Sequence, residues 1–295
     1  MNDLDLITRL RPEVAEPDPV VLSRHRMAIL ERAADPVPVR AVRPRFRPRL
    51  VISGAAVAAA AIVAVVVGIS GPGAPPASAA TVLELAANAA TATPAGNGDW
   101  TYTSSVTVSS EDTRPKRVDT WVKTDGSEAE VRDERAAPQR GVIPEVGEPS
   151  LYNQSYDYLK TLPTDPAALR AEIYRQVQGD LNRLGHQDLY TIDQLVFQMI
   201  AHLVDGAAPP DLKAALYRVA ATVPGVQLID DMWDVSGRHG LGVARTTTNA
   251  GDMTTLVFDR DTYRVLGWTT TSHDGRASGA ALLATGLVDE AGQTP

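Results

Sequence analysis

The stretch Val226–Thr271, VQLIDDMWDVSGRHGLGVARTTTNAGDMTTLVFDRDTYRVLGWTTT, decides the fold of this chain. Apolar and polar residues alternate through four runs, Val226 to Val235, Gly242 to Thr248, Met253 to Phe258 and Tyr263 to Thr271. A period of two over β-branched and aromatic residues predicts strands with one covered face. Ser236–Gly240 and Asp259–Thr262 stand between runs and are rich in turn formers, so consecutive strands should fold back on one another as an antiparallel meander.

Upstream of the meander the period changes to that of helices. Pro209-Pro210-Asp211 opens a helix with Leu212, Leu216, Val219 and Ala220 facing inward, and before it Leu195, Phe197, Met199, Ile200, Leu203 and Val204 make an apolar helix ended near Gly206. Leu162-Pro163-Thr164-Asp165-Pro166 supplies a cap and a first-turn proline for a third, continued by Leu169, Ile173 and Val177. Further upstream, Trp100, Tyr102, Ser104, Val106 and Val108 alternate as one strand and Val118, Thr120 and Val122 as a second; the polar break Ser109–Lys116 suggests a hairpin. The segment 124–150 reads as short edge strands or loop, and Ala80–Ala92 as a helix capped by Ser78 or Thr81. The order helix, strands, helices, strands predicts an α+β domain over 81–290: one antiparallel sheet, curved in the manner of a half-barrel, with helices on one face.

What precedes this domain sets its expected location. Val51–Ile69 carries no charged residue, and Arg40, Arg43, Arg45, Arg47 and Arg49 stand before it. As a helix the run measures roughly 28 Å, close to the thickness of a bilayer's hydrocarbon core. Arginines are retained on the cytoplasmic side, and the next charged residue beyond the run is Glu84. The expectation is a single-pass plasma-membrane protein, N-terminus inside and C-terminus outside, with a cytoplasmic segment 1–50, a transmembrane helix 51–69 and a Gly/Pro/Ala linker 70–80. Ala77-Ser78-Ala79 resembles a signal-peptidase site, but the apolar run is longer than a usual signal core and its 50-residue leader is long, so retention of the span is expected.

The net charge of −8 is divided unevenly: residues 1–50 hold ten arginines against seven acids, and the remainder 18 basic against 29 acidic residues. An acidic outer domain does not suit nucleic acid. The chain has no cysteine, which removes disulfides, thiolate zinc sites and cysteine nucleophiles. The inner segment is too poor in large apolar residues to bury a core. Its two short stripes offer Leu4, Ile7, Leu10, Leu22 and Ile29 as candidate residues for docking a cytoplasmic partner, and Pro36–Pro48 reads as an extended basic tether.

Chemistry-bearing spacings are few. Tyr156 and Lys160 have the Tyr-x-x-x-Lys spacing of short-chain dehydrogenases, yet no glycine-rich dinucleotide loop accompanies them. Gly237, Gly240 and Gly242 precede a strand rather than a helix and read as turn glycines. Asp230, Asp231 and Asp234 lack the glycine and glutamate of a calcium loop, His186, His202, His239 and His273 are scattered, and Asn153-x-Ser155 is a bare sequon. No catalytic, cofactor or metal residues are therefore assigned, and no enzyme activity is expected. Trp100, Tyr102, Trp121 and Trp268, spaced along strands, are the candidate lining of an apolar ligand site on the sheet's concave side; packing under the helices explains them as well.

The segments LDLITRLRPEVAEPDPVVLSRHRMAILERA, LPTDPAALRAEIYR, APPDLKAALYRVAATVPGVQL and GRHGLGVART through FDRDTYRVLGW, with the arginine-flanked span, resemble an actinobacterial family of single-pass membrane proteins. Its members are often encoded beside extracytoplasmic-function sigma factors, and no catalytic residues are established for it. Less closely, the outer domain is similar in layout to the half-barrels of lipoprotein carriers and of periplasmic regulators of sigma-factor signalling. The inner segment departs from zinc-type anti-sigma domains, since His25 stands without their cysteines. With the topology, the resemblance implies a membrane-anchored regulatory protein whose outer domain senses an envelope condition or protein partner and whose inner segment docks a partner such as a sigma factor. The alternative is a tethered extracytoplasmic lipid- or lipoprotein-binding module.

Overall fold

The computed structural model describes residues 78–94, 96–142, 149–184, 190–246 and 251–295. The arginine cluster, the apolar run and the five candidate docking residues of the inner segment lie outside them, as does His186. Among the described residues no helix is long and apolar enough to cross a membrane.

The first element is α1 (Ala79–Thr91), whose N-cap is Ser78: its Oγ accepts from the Thr81 backbone N–H at 3.2 Å. The helix thus begins inside the segment expected as linker. Four strands follow, β1 (Trp100–Val108), β2 (Lys116–Lys123), β3 (Glu128–Asp133) and β4 (Gln139–Val142). After the short α2 (Tyr156–Leu159), Asp165 starts α3 (Pro166–Leu184) by accepting from the Ala168 N–H at 2.9 Å, with Pro166 in the first helical position as expected. Next come α4 (Ile192–Asp205) and α5 (Pro210–Ala221), and then β5 (Gln227–Trp233), β6 (His239–Thr246), β7 (Met253–Phe258), β8 (Val265–Thr271) and β9 (Ala277–Val288).

All nine strands form one open antiparallel sheet in the order β4-β3-β2-β1-β9-β8-β7-β6-β5. The meander and the first hairpin both form, and β9 joins them by pairing with β1 on one side and β8 on the other. This central strand is absent from the expectation for a physical reason. Its sequence, ASGAALLATGLV, uses alanine and glycine where a strand usually carries β-branched residues, and four consecutive residues, Gly279 to Leu282, are buried, which erases the alternation. The small residues are required by close backbone approach. A Cβ on Gly267, which has φ +152°, would stand 2.0 Å from the Ala280 carbonyl oxygen, and one on Gly279 would stand 2.3 Å from that of Trp268.

The helices cover one face. Val196, Phe197, Ile200 and Leu203 of α4 and Leu212, Leu216 and Val219 of α5 are fully buried against Leu241, Val243, Leu256 and Phe258 of the meander. Tyr217 of α5 meets Phe258 edge to face at 5.6 Å between centroids. The remaining layer is α3, applied to α4 and α5 through Leu169, Ile173 and Val177, a stripe at four-residue spacing. Against α5 also lies α1, through Val82, Leu83, Ala86 and Ala87, with Arg218 of α5 ion-paired to Glu84 of α1 at 3.0 Å on the surface.

Candidate functional site

Register places the four candidate aromatics on two faces. Tyr102 stands opposite Trp121 and Gly286, and Trp100 opposite Val288, whereas the intervening Thr101 and Thr103 stand opposite Leu287 and Thr285, which face α1. Trp100, Tyr102 and Trp121 therefore occupy the face away from the helices. There they form a small second core with Val288, and Tyr102 and Trp121 have ring centroids 5.1 Å apart. The C-terminal residues fold back over this plate: Trp121 Nε1 donates to the Gln293 carbonyl at 2.6 Å, Ala291 packs on it, and Pro295 lies over Gly286. Arg132 and Arg140 cover the outer rings of Trp121 and Trp100 at 4.7 and 5.5 Å. Trp268 is instead on the helix face, where its Nε1 donates to Asp205 Oδ2 at 3.0 Å and its ring meets His202. The four do not line one cavity.

Lys160 pairs with Asp157 at 2.6 Å, and burial raises the Tyr156 pKa, opposite to what a catalytic tyrosine–lysine pair requires. Asp234 is buried and organises the β5–β6 turn, accepting from the N–H of Ser236 and of Arg238 at 2.9 Å each and from Arg238 Nε at 2.6 Å. Asp231 pairs with His239 beside the exposed Trp233, and Gly240 lies where a Cβ would stand 2.3 Å from the Phe258 carbonyl oxygen. Among the described residues no group of three or more His, Cys, Asp and Glu side chains is placed to hold a metal ion.

A half-open cleft of about 150 Å³ lies instead at the end of the helix layer, walled by α1 (Ala86, Ala89, Ala90), by the start of α5 and by β8 and β9. Its floor is apolar, with Ala208, Leu282 and Leu287. The rest of the wall is mostly polar and converges from separated segments, Tyr156 of α2 and Thr93 after α1 among them. Lys213 and Tyr217 come from α5, one turn apart; Tyr263 and Arg264 from the β7–β8 turn; Thr285 from β9. The turn is set by Asp259, whose Oδ1 accepts from the N–H and Oγ1 of Thr262 at 2.8 Å each. It leaves Tyr263 at φ +55°, a conformation that costs a bulky residue roughly 1–2 kcal/mol, while its side chain lines the cleft.

Electrostatics are unusual at this place. Behind the cleft Asp205 keeps Oδ1 buried without a hydrogen-bond partner, and burial raises its pKa to about 6. Burial lowers the Lys213 pKa to about 8, assisted by Arg264 and opposed by Asp205. Tyr217 is pushed well up by burial, then by Asp205. No carboxylate stands within ion-pair distance of Lys213 or Arg264 among the described residues, and Thr285 Oγ1 is buried without a partner. Sequence inspection passed over this group because its members are up to 72 positions apart; the one available signal was Lys213, one of only four lysines, set in the inward-facing part of an apolar helix.

No family model matches the chain, and no curated protein matches it. Among solved structures it is similar to the MucA/MucB complex of Pseudomonas aeruginosa, with a TM-score of 0.30 and 14% identity over 72% of this chain and 59% of that chain. A second is MucB in complex with MucA(peri), with a TM-score of 0.29 and 13% identity over 74% of this chain and 59% of that one. The chain thus spans under two thirds of the length of these neighbours, and at such TM-scores the likeness carries no argument about function.

Proposed function

We propose that this chain is a membrane-anchored regulatory protein: the α+β domain senses an extracytoplasmic signal, and residues 1–50 dock a cytoplasmic protein such as a sigma factor. The observation that carries the reading is the position of the cleft. One wall is α1, the first described element after the charge-free run Val51–Ile69, so an occupant of the cleft bears directly on the helix nearest in sequence to the expected span. Regulation is favoured over catalysis because the polar groups of the cleft are cations and hydroxyls of a binding site, with no acid–base pair at hydrogen-bond distance among them. It is favoured over lipid carriage because α4 and α5 fill the helix face and leave about 150 Å³, below the size of an ordinary ligand pocket.

The test uses the full chain in mild detergent. An extracytoplasmic-function sigma factor from the same cell should be captured by the native chain and lost from a Leu22→Glu/Ile29→Glu variant. Absence of any sigma factor, or equal capture by both, removes the docking half of the proposal.

A further inference from the structure

We infer that the cleft between α1, α5 and β8–β9 is a binding site for a small organic acid, a carboxylate or phosphate carried on an apolar stem of about six carbons. This deepens the regulatory reading by naming the chemistry of the signal. Three observations converge on it. The cleft presents two cations, Lys213 and Arg264, without carboxylate partners at ion-pair distance among the described residues. Lys213 is half-buried and Arg264 exposed; a partly desolvated ammonium left unpaired is costly, and an incoming oxyanion at Lys213 offsets that cost. Thr285, which lines the cleft, adds a buried hydroxyl with no hydrogen-bond partner. Lys213 also lies in the first turn of α5, where the helix dipole adds positive potential.

The stem follows from the floor and the volume. Ala86, Ala90, Ala208, Leu282 and Leu287 offer methyl and methylene surface, and about 150 Å³ is the size of a cavity that accepts one benzene ring. The acid head is therefore expected at Lys213 and Arg264 and the stem against α1. Asp205, the acid that acts on Lys213, leaves these three groups with a net positive charge while all are ionised.

The test is calorimetric titration of the purified full chain with benzoate, phenyl phosphate, benzyl alcohol and inorganic phosphate, independent of any sigma-factor capture. Benzoate or phenyl phosphate should bind at least tenfold more tightly than either benzyl alcohol or inorganic phosphate, and Lys213→Met and Arg264→Met should each weaken the acid about tenfold. Affinity should fall as pH rises through about 8 to 10 and Lys213 loses its proton, with Asp205 already ionised and Tyr217 still protonated. Thr285→Val, which keeps shape, should weaken binding about threefold and guards against misfolding of the lysine variant. Equal binding of the alcohol, equal binding of inorganic phosphate, or acid affinity unchanged in both cation variants overturns the inference. Benzoate displaced by phosphatidylglycerol vesicles would assign the cations to a lipid headgroup and overturn it likewise.

Discussion

Replacing Asp205 by Asn should stabilise the protein at neutral pH. Burial of the carboxylate lifts its pKa from the ordinary 3.8 to about 6, so the native state prefers the protonated form. Roughly two units correspond to about 3 kcal/mol of native stability that is present below pH 4 and lost as the pH rises through 6. Between those limits the unfolded chain has released this proton and the native one still holds it, so stability falls with increasing pH. Asparagine cannot ionise, yet it keeps an acceptor for Trp268 Nε1, the bond now made by Oδ2 at 3.0 Å. Two effects reduce the gain: the new amide must find a partner in a place where Oδ1 has none, and Lys213 loses the neighbour that holds its pKa up. The net expectation is about 1–2 kcal/mol, or roughly 3–6 °C in Tm for a domain of this size. Urea unfolding of the full chain in detergent, followed by tryptophan emission from pH 4 to 8, measures both the gain and the slope. A variant no more stable than the native protein at pH 7, with the same slope between pH 4 and 6, refutes the placement of a strained carboxylate behind the cleft.

Gly267→Ala should cost at least about 3 kcal/mol, since it combines a disfavoured φ of +152° with a Cβ 2.0 Å from the Ala280 carbonyl oxygen; a loss below 1 kcal/mol in urea unfolding would show that the β8–β9 crossing is looser than described. Ser78→Ala removes the cap of α1 and should lower stability by about 1 kcal/mol, whereas Ser78→Asn should retain it; equal loss in both variants argues against the cap. Trp121→Phe deletes the bond to Gln293 and should speed amide exchange over residues 291–293 while leaving β2 protected; unchanged exchange there contradicts the role of the C-terminal residues in covering the aromatic plate.

The legible parts of the fold are those in which one face of an element is covered and the other is not. Alternation marked β1, β2 and β5–β8, the Asp165-Pro166 pair marked the start of α3, and Gly206 the end of α4. The strand β9 was hidden because it is central and built of small residues. Without it the sides of the sheet could not be assigned: the register shift at Ser104/Ser105 in the β1–β9 pairing changes which residues share a face, and a change of one position moves a side chain to the opposite side. That is why Trp268 parts from Trp100, Tyr102 and Trp121. The cleft was invisible for a related reason. Lys213, Arg264 and Thr285 meet only after the helices α4 and α5 are folded onto a sheet whose middle strand comes last in the chain.

In the proposed topology an arginine-flanked span separates a cytoplasmic segment from an extracytoplasmic domain. Because the chain has no cysteine, Ser23→Cys in the inner segment and Ser110→Cys in the exposed β1–β2 loop each create a single thiol. In intact cells a membrane-impermeant maleimide should label the Ser110→Cys protein and leave Ser23→Cys unlabelled until the membrane is permeabilised. Labelling of Ser23→Cys alone, or of neither position before permeabilisation, would contradict the topology and with it the proposed route from cleft to cytoplasm.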